Sequence, residues 1–118
     1  MTYTSSTSMN SDYIRVTAQG SYSYEQMFGF FDYCRKEADN SDLEKVLIDC
    51  VELKMQLSEV QRFEGGQMIA SLFGSDKRVA LVLPAGQVTK MGEIAANNRG
   101  ARLLVTESLD EALQWLDN

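Results

Sequence analysis

The last third of the chain, Arg78 to Asn118, most constrains its fold, because it reads as strand, helix, strand and helix with a clear break between each. Arg78 to Leu83 and Ala101 to Thr106 are short apolar runs. Gly100 stands just before the second run and suits the left-handed position that ends a helix. Strands that alternate with helical segments are typical of an α/β domain with parallel strands.

The same order extends towards the start of the chain. Tyr13 to Gln19 alternates polar and apolar residues, with Ile14, Val16 and Ala18 on the apolar face, which predicts a half-buried strand. Residues 1–12 are either a first edge strand over Tyr3–Met9, antiparallel to that strand, or a loose tail. The chain is therefore predicted to be α/β, with a single mixed, mostly parallel sheet and about four helices. The remaining predicted elements are a helix over Tyr24–Ala38, a strand over Lys45–Cys50, a loop over Val51–Leu57, and helices over Ser58–Phe73, Val88–Asn98 and Leu109–Leu116.

Helix starts are marked by serines that have Gln or Glu three residues later, the spacing of a capping box. They are Ser23, Ser58 and Ser108. Within the predicted second helix, Gly65 and Gly66 each cost roughly 1 kcal/mol relative to Ala. The pair therefore predicts either that a neighbouring element approaches closely or that the helix bends.

Length and composition exclude several classes of function. A chain of 118 residues fits a single domain over 1–118. The net charge of −6 argues against nucleic acid, and no apolar run is long enough to cross a membrane. The absence of histidine removes Ser-His-Asp triads and His-ligated metals. Two cysteines and a polar start predict a reduced, cytoplasmic protein. We expect no catalytic residues, cofactor or metal.

Four residues are candidates for regulation or interaction. Asp49 is placed at the carboxyl end of its predicted strand, where open α/β sheets often bind ligands. Leu53 and Met55 fall in the predicted loop, where exposure would suit a binding surface. Ser58 is placed at the start of the second helix. Cys34 lies in the apolar stripe of the first helix and is interpreted as a packing thiol.

The segments Lys45–Asp49, Arg78–Val82, Asn98–Gly100 and Ser108–Leu116 resemble those of the STAS domain, the anti-sigma-factor-antagonist fold, and of its diverged SpoIIAA-like relatives. The resemblance covers roughly Tyr13 to Leu116 of the sequence. It implies a non-enzymatic regulatory module that binds another protein, such as a kinase or a regulator.

The resemblance also implies a phosphorylated serine at the start of the second helix, which falls on Ser58, nine residues after Asp49. The family's Asp-Ser-Ser-Gly motif is replaced here by Leu57, Ser58, Glu59 and Val60. Glu59 would repel a phosphate, and the residues themselves favour Ser58 as a helix cap.

The sequence leaves two other classes of function open. A carrier of a small apolar ligand would use aromatic residues to line a cleft, namely Phe28, Phe30, Phe31, Phe63 and Phe73. The second alternative is an enzyme or a phosphoacceptor receiver domain. The chain lacks the acidic pair and the lysine late in the sequence that a receiver domain needs. Small domains often pair, so a homodimer is also considered, although no residue locates its interface.

Overall fold

The computed structural model describes residues 3–21 and 23–118, which form a five-stranded mixed sheet and four helices. Met1 and Thr2, which belong to the predicted edge strand or tail, lie outside the described residues. The elements in chain order are β1 (Tyr3–Met9), β2 (Ile14–Ser21), α1 (Tyr24–Ser41), β3 (Lys45–Lys54), α2 (Glu59–Phe73), β4 (Arg78–Val82), α3 (Met91–Asn98), β5 (Arg102–Thr106) and α4 (Leu109–Asp117).

The spatial order of the strands follows the sequence, β1-β2-β3-β4-β5. β1 pairs with β2 in antiparallel orientation, and the other neighbours are parallel. Each parallel step moves in the same direction across the sheet. Right-handed crossovers therefore place α1, α2 and α3 on one face, which we call the helix layer. The mixed, mostly parallel sheet predicted from the sequence is confirmed.

The two faces of the sheet are covered unequally. The helix layer covers the main core, where Ile14, Val16 and Ala18 are buried as their alternation predicts. On the opposite face α4 packs Ala112 and Leu116 against β3 and β4. Beyond the area covered by α4, the β1 residues on that face are exposed; they are Thr4, Ser6 and Ser8.

β3 is longer than the sequence predicts. The sequence predicts that the strand ends at Cys50 and that Val51–Leu57 is a loop, whereas the strand continues to Lys54. The pairing with β2 instead passes an irregularity: Thr17 pairs with Asp49 but Gln19 pairs with Glu52, so β3 contains one extra residue. This bulge reverses the alternation and allows the strand to continue to Lys54.

The helix boundaries and faces differ from the prediction in two places. α1 extends to Ser41, and Phe28, which the sequence offers as a residue lining an apolar cleft, is 49% exposed. Phe30 is buried instead, because α1 leans over β1 and the Phe30 ring meets that of Tyr3 edge-on at 5.7 Å. α3 begins at Met91 rather than Val88, because Lys90 adopts a left-handed backbone (φ 66°) that cannot continue a helix.

The Gly65–Gly66 pair marks a close approach, one of the two predicted alternatives. α2 crosses α3 so closely that a Cβ atom on Gly66 would lie 2.2 Å from the carbonyl oxygen of Gly92. Gly92 in turn faces the carbonyl oxygen of Arg62. Glycine at both positions therefore brings the two helix backbones into direct contact.

Candidate functional site

Ser58 caps α2 as the sequence predicts. Its Oγ accepts a hydrogen bond from the Gln61 backbone N–H at 3.1 Å, and the Gln61 side chain accepts one from the Ser58 N–H at 3.0 Å. This completes the predicted capping box. Ser58 is exposed at the carboxyl edge of the sheet, so another molecule can reach it.

Asp49 does not lie at the end of its strand, which corrects the prediction. β3 continues to Lys54, so Asp49 lies in mid-strand, and its side chain is on the α4 face. It is 7% exposed, and its Oδ2 lies 2.5 Å from Nη2 of Arg15. The other oxygen, Oδ1, accepts a hydrogen bond from the Val51 N–H at 3.2 Å. The pair thus joins β2 to β3 at the bulge, and no hydrogen bond or ion pair described for Asp49 joins it to Ser58.

Leu53 and Met55 are buried, which corrects the expectation that they form an exposed binding loop. Leu53 is 2% exposed and Met55 is 8% exposed. The extra residue in β3 turns both side chains under the helix layer. Met55 lines a partly open, largely apolar cavity of about 50 Å³ together with Phe31 and Ile69. Ligand pockets usually hold about 300–1,000 Å³, so this cavity offers no room for a lipid tail.

The five phenylalanines proposed to line a ligand cleft lie in two different environments. Phe30, Phe31 and Phe73 are buried in the main core, whereas Phe28 and Phe63 are 49% and 41% exposed. The buried group packs the sheet against the helix layer. These positions do not form a shared cleft among the described residues.

The exposed apolar side chains on the helix layer are the feature that sequence reasoning missed. Val60 is 67% exposed in the first turn of α2, and Phe63 follows one turn later. Ile94 on α3 is 56% exposed, and Phe28 lies on α1. Because α2 contacts both α1 and α3, these residues lie on adjacent helices. We call Phe28, Val60, Phe63 and Ile94 the apolar patch.

Polar contacts fix the helix positions around this patch. Arg62 donates from Nη2 to Gln87 Oε1 at 2.8 Å and from Nη1 to the Gln87 carbonyl oxygen, which ties α2 to the loop before α3. Tyr24 donates to Glu64 at 2.7 Å and ties α1 to α2. That hydrogen bond, together with burial, raises the pKa of the Tyr24 phenol. These hydrogen bonds fix the positions of the helices that carry the exposed apolar side chains.

The cysteines are not placed for reaction. Cys34 and Cys50 are both buried and reduced. Burial raises the pKa of the Cys34 thiol, and burial next to Asp49 raises that of Cys50, so both thiols stay protonated. Within residues 3–21 and 23–118, no cluster of Cys, Asp and Glu is placed to hold a metal ion. No helix in those ranges is long and apolar enough to span a membrane.

Two solved structures share this architecture over nearly their whole length. An anti-sigma factor antagonist from Mycobacterium paratuberculosis has a TM-score of 0.67 at 11% identity, over 99% of this chain and 96% of that one. An uncharacterised protein from Shewanella loihica with a SpoIIAA-like fold has a TM-score of 0.52 at 22% identity, over 97% and 93%. No protein-family model matches the sequence, and no curated protein sequence does.

The chain is therefore an α/β protein and has the STAS or SpoIIAA-like fold, which confirms the resemblance predicted from its sequence. Identities below 25% establish the fold alone. One fold hosts many functions, so the activity has to be argued from the surface of this chain.

Proposed function

We propose that this protein is a non-enzymatic, cytoplasmic regulatory module that binds another protein through the apolar patch. The observation that carries the proposal is the exposure of Val60 and Phe63 on α2, 67% and 41%. Exposed apolar side chains that include an aromatic residue are typical of protein-binding surfaces. The structural neighbour named as an anti-sigma factor antagonist is consistent with a protein partner.

Ser58 lies at the rim of the apolar patch, two residues before Val60. We propose it as the position where the partner or a kinase would act. A phosphate there would meet the free N–H groups of the α2 N-terminus, which favours it, and the carboxylate of Glu59, which opposes it. The mass of the protein isolated from its own cells would test this, since a phosphate-sized increment must map to Ser58.

The binding proposal is tested by substitutions that leave the fold intact. Val60→Asp and Phe63→Asp each place a charge in the apolar patch. Position 60 lies in the first turn of α2, where an Asp side chain is favourable to the helix. The matched control is Gln114→Asp, at an exposed position of α4 on the other face of the sheet. Met55→Asp is not a useful test, because Met55 is buried and its substitution would destabilise the fold.

The readout is site-specific photo-cross-linking in the protein's own cells. A benzophenone amino acid at position 60 should yield a cross-linked partner at fixed stoichiometry, whereas the same group at position 114 should not. Adding Phe63→Asp to the position-60 protein should remove the product. A product of equal yield at both positions, or one that survives Phe63→Asp, would count against the apolar patch as the binding surface.

A further inference from the structure

The two edge strands of the sheet, β1 and β5, differ in whether side chains hydrogen-bond to their outward backbone groups. In β5 the residues that turn their backbone groups away from β4 are Leu103 and Val105. The Asn97 side chain accepts from the Leu103 N–H at 2.9 Å and donates to its carbonyl oxygen at 3.0 Å. Glu93 accepts from the Val105 N–H at 2.7 Å, and Lys90 donates to the Val105 carbonyl oxygen. Side chains of the α3 region thus occupy the backbone groups of this edge.

The opposite edge, β1, lacks the charges, the proline and the bulge that often protect an edge strand, although α1 leans over one of its faces. Such strands carry charges, proline, bulges or a covering element. Tyr3–Met9 contains no charged residue and no proline. Its register with β2 runs without a shift from Tyr3–Gly20 to Met9–Ile14. Within the described parts of the chain, no strand pairs with its outer side.

The ladder with β2 fixes which β1 backbone groups point outwards. The Asn10 N–H donates to the Tyr13 carbonyl oxygen at 2.9 Å, so Asn10 and Tyr13 form a hydrogen-bonded pair. Hydrogen-bonded and non-hydrogen-bonded pairs alternate along an antiparallel ladder. Met9, Thr7 and Ser5 therefore belong to non-hydrogen-bonded pairs with β2, and their N–H and C=O groups point away from it.

We propose that a second copy of this chain pairs with this edge, β1 against β1 in antiparallel orientation, with Ser6 on the two-fold axis. The two sheets then form one continuous sheet. This interface is separate from the apolar patch and does not depend on the function proposed for it.

The register follows from two requirements. A two-fold axis perpendicular to the sheet keeps side chains on their own faces, so paired residue numbers must both be odd or both be even. Full overlap of a strand over Tyr3–Met9 then centres it on Ser6. Ser5 of one copy then lies opposite Thr7 of the second copy, and these two residues direct their N–H and C=O groups towards each other. Thr4 lies opposite the second copy of Ser8.

The chemistry of the strand suits a copy of itself. Two molecules of net charge −6 repel each other, but β1 contributes no charge to this contact. On the face opposite the helix layer, the side chains paired across the two strands are threonines and serines, whose hydroxyl groups can hydrogen-bond each other. On the helix-layer face Met9, which is 64% exposed, would lie beside the second copy of Tyr3. Pairing would thus cover the large apolar side chain that β1 leaves in solvent.

The first test measures the mass of the protein by sedimentation across a dilution series. We expect a dimer that dissociates on dilution. Ser6→Lys places two like charges directly opposite each other across the interface and should weaken the dimer by at least about tenfold in Kd. Ser71→Lys, an equal charge change at an exposed position of α2, should leave the Kd unchanged.

The second test reads the register by disulfide formation. Thr4 and Ser8 would face each other in non-hydrogen-bonded pairs, with Cα atoms about 4.5 Å apart, which suits a disulfide. An oxidised mixture of Thr4→Cys and Ser8→Cys proteins should give a cross-linked dimer, and neither protein alone should. The native Cys34 and Cys50 are buried and should not take part.

A protein that stays monomeric up to millimolar concentration would overturn the proposal. So would a dimer that Ser6→Lys leaves intact, or cross-linking in which Thr4→Cys protein reacts with itself and not with Ser8→Cys protein. Each of these outcomes leaves the apolar patch untouched, so the two proposals fail separately.

Discussion

Replacing Gly66 with alanine should destabilise the protein although alanine favours helices. The added Cβ would lie 2.2 Å from the carbonyl oxygen of Gly92, and 2.9 Å and 3.0 Å from its C and Cα atoms. All three are backbone atoms, so no side chain can rotate away. Ordinary contact begins at 3.4 Å, so α2 and α3 must separate by roughly 1 Å.

The magnitude follows from two opposing terms. Overpacking costs about 1–3 kcal/mol, and contact with backbone places Gly66→Ala at the upper end. Alanine returns about 1 kcal/mol of helix propensity. The expected net loss in the free energy of unfolding is therefore about 2 kcal/mol.

Two other glycines serve as matched controls. A Cβ on Gly29, in the exposed face of α1, meets nothing within 4 Å, so Gly29→Ala should stabilise the protein by up to about 1 kcal/mol. A Cβ on Gly65 would lie 2.9 Å from the sulfur of Met27, which is flexible. Gly65→Ala should therefore fall between the other two.

Urea unfolding followed by far-ultraviolet circular dichroism measures all three variants. With m values of about 1–3 kcal/mol/M, Gly66→Ala should lower the midpoint by roughly 1 M with m unchanged. A Gly66→Ala protein as stable as the parent would refute the close helix contact. Equal destabilisation by Gly29→Ala would show that the loss has another origin.

Three further results are expected. Ser58→Ala and Ser108→Ala should each cost about 1 kcal/mol in urea unfolding, since each Oγ accepts a backbone N–H at 3.1 Å; Ser→Gly controls should cost less. Cys34 and Cys50 should resist a thiol reagent until the protein unfolds, and rapid labelling of the folded protein would contradict their burial. The free energy of unfolding should fall as the pH rises above about 8.5, because the thiols ionise in the unfolded chain, whereas burial raises their pKa in the folded one. Asn97→Ala should cost about 1–2 kcal/mol and produce larger species in light scattering, because it exposes the β5 edge; unchanged scattering would argue against edge protection.

The order of the elements could be predicted from local signals, because each signal acts within a few residues. Ser58 with Gln61 marks the start of α2, and the Gly100 backbone is left-handed (φ 95°) where α3 ends. The end of β3 could not be predicted, because the bulge opposite β2 is a property of two strands together. For this reason the sequence predicts Leu53, which follows the bulge, in an exposed loop, whereas the residue is buried in the strand.

The candidate site was harder to predict than the fold. The Arg15–Asp49 pair had a detectable signal, since Arg15 lies on the polar face of a predicted strand and a carboxylate follows a buried one. The apolar patch had no such signal, because Val60 and Phe63 look like core residues in the sequence. Their exposure arises because α2 uses its glycines and Ile69 to face its neighbours.

The side chains that occupy β5 also limit growth of the sheet. A molecule whose two edges were both accessible could add neighbours at each end and extend without limit into a fibre. Here Asn97, Glu93 and Lys90 already occupy the backbone groups at the β5 edge. Each chain therefore has one edge, β1, at which another strand can be added. A sheet extended by pairing two copies through β1 would end at the β5 edge of each copy.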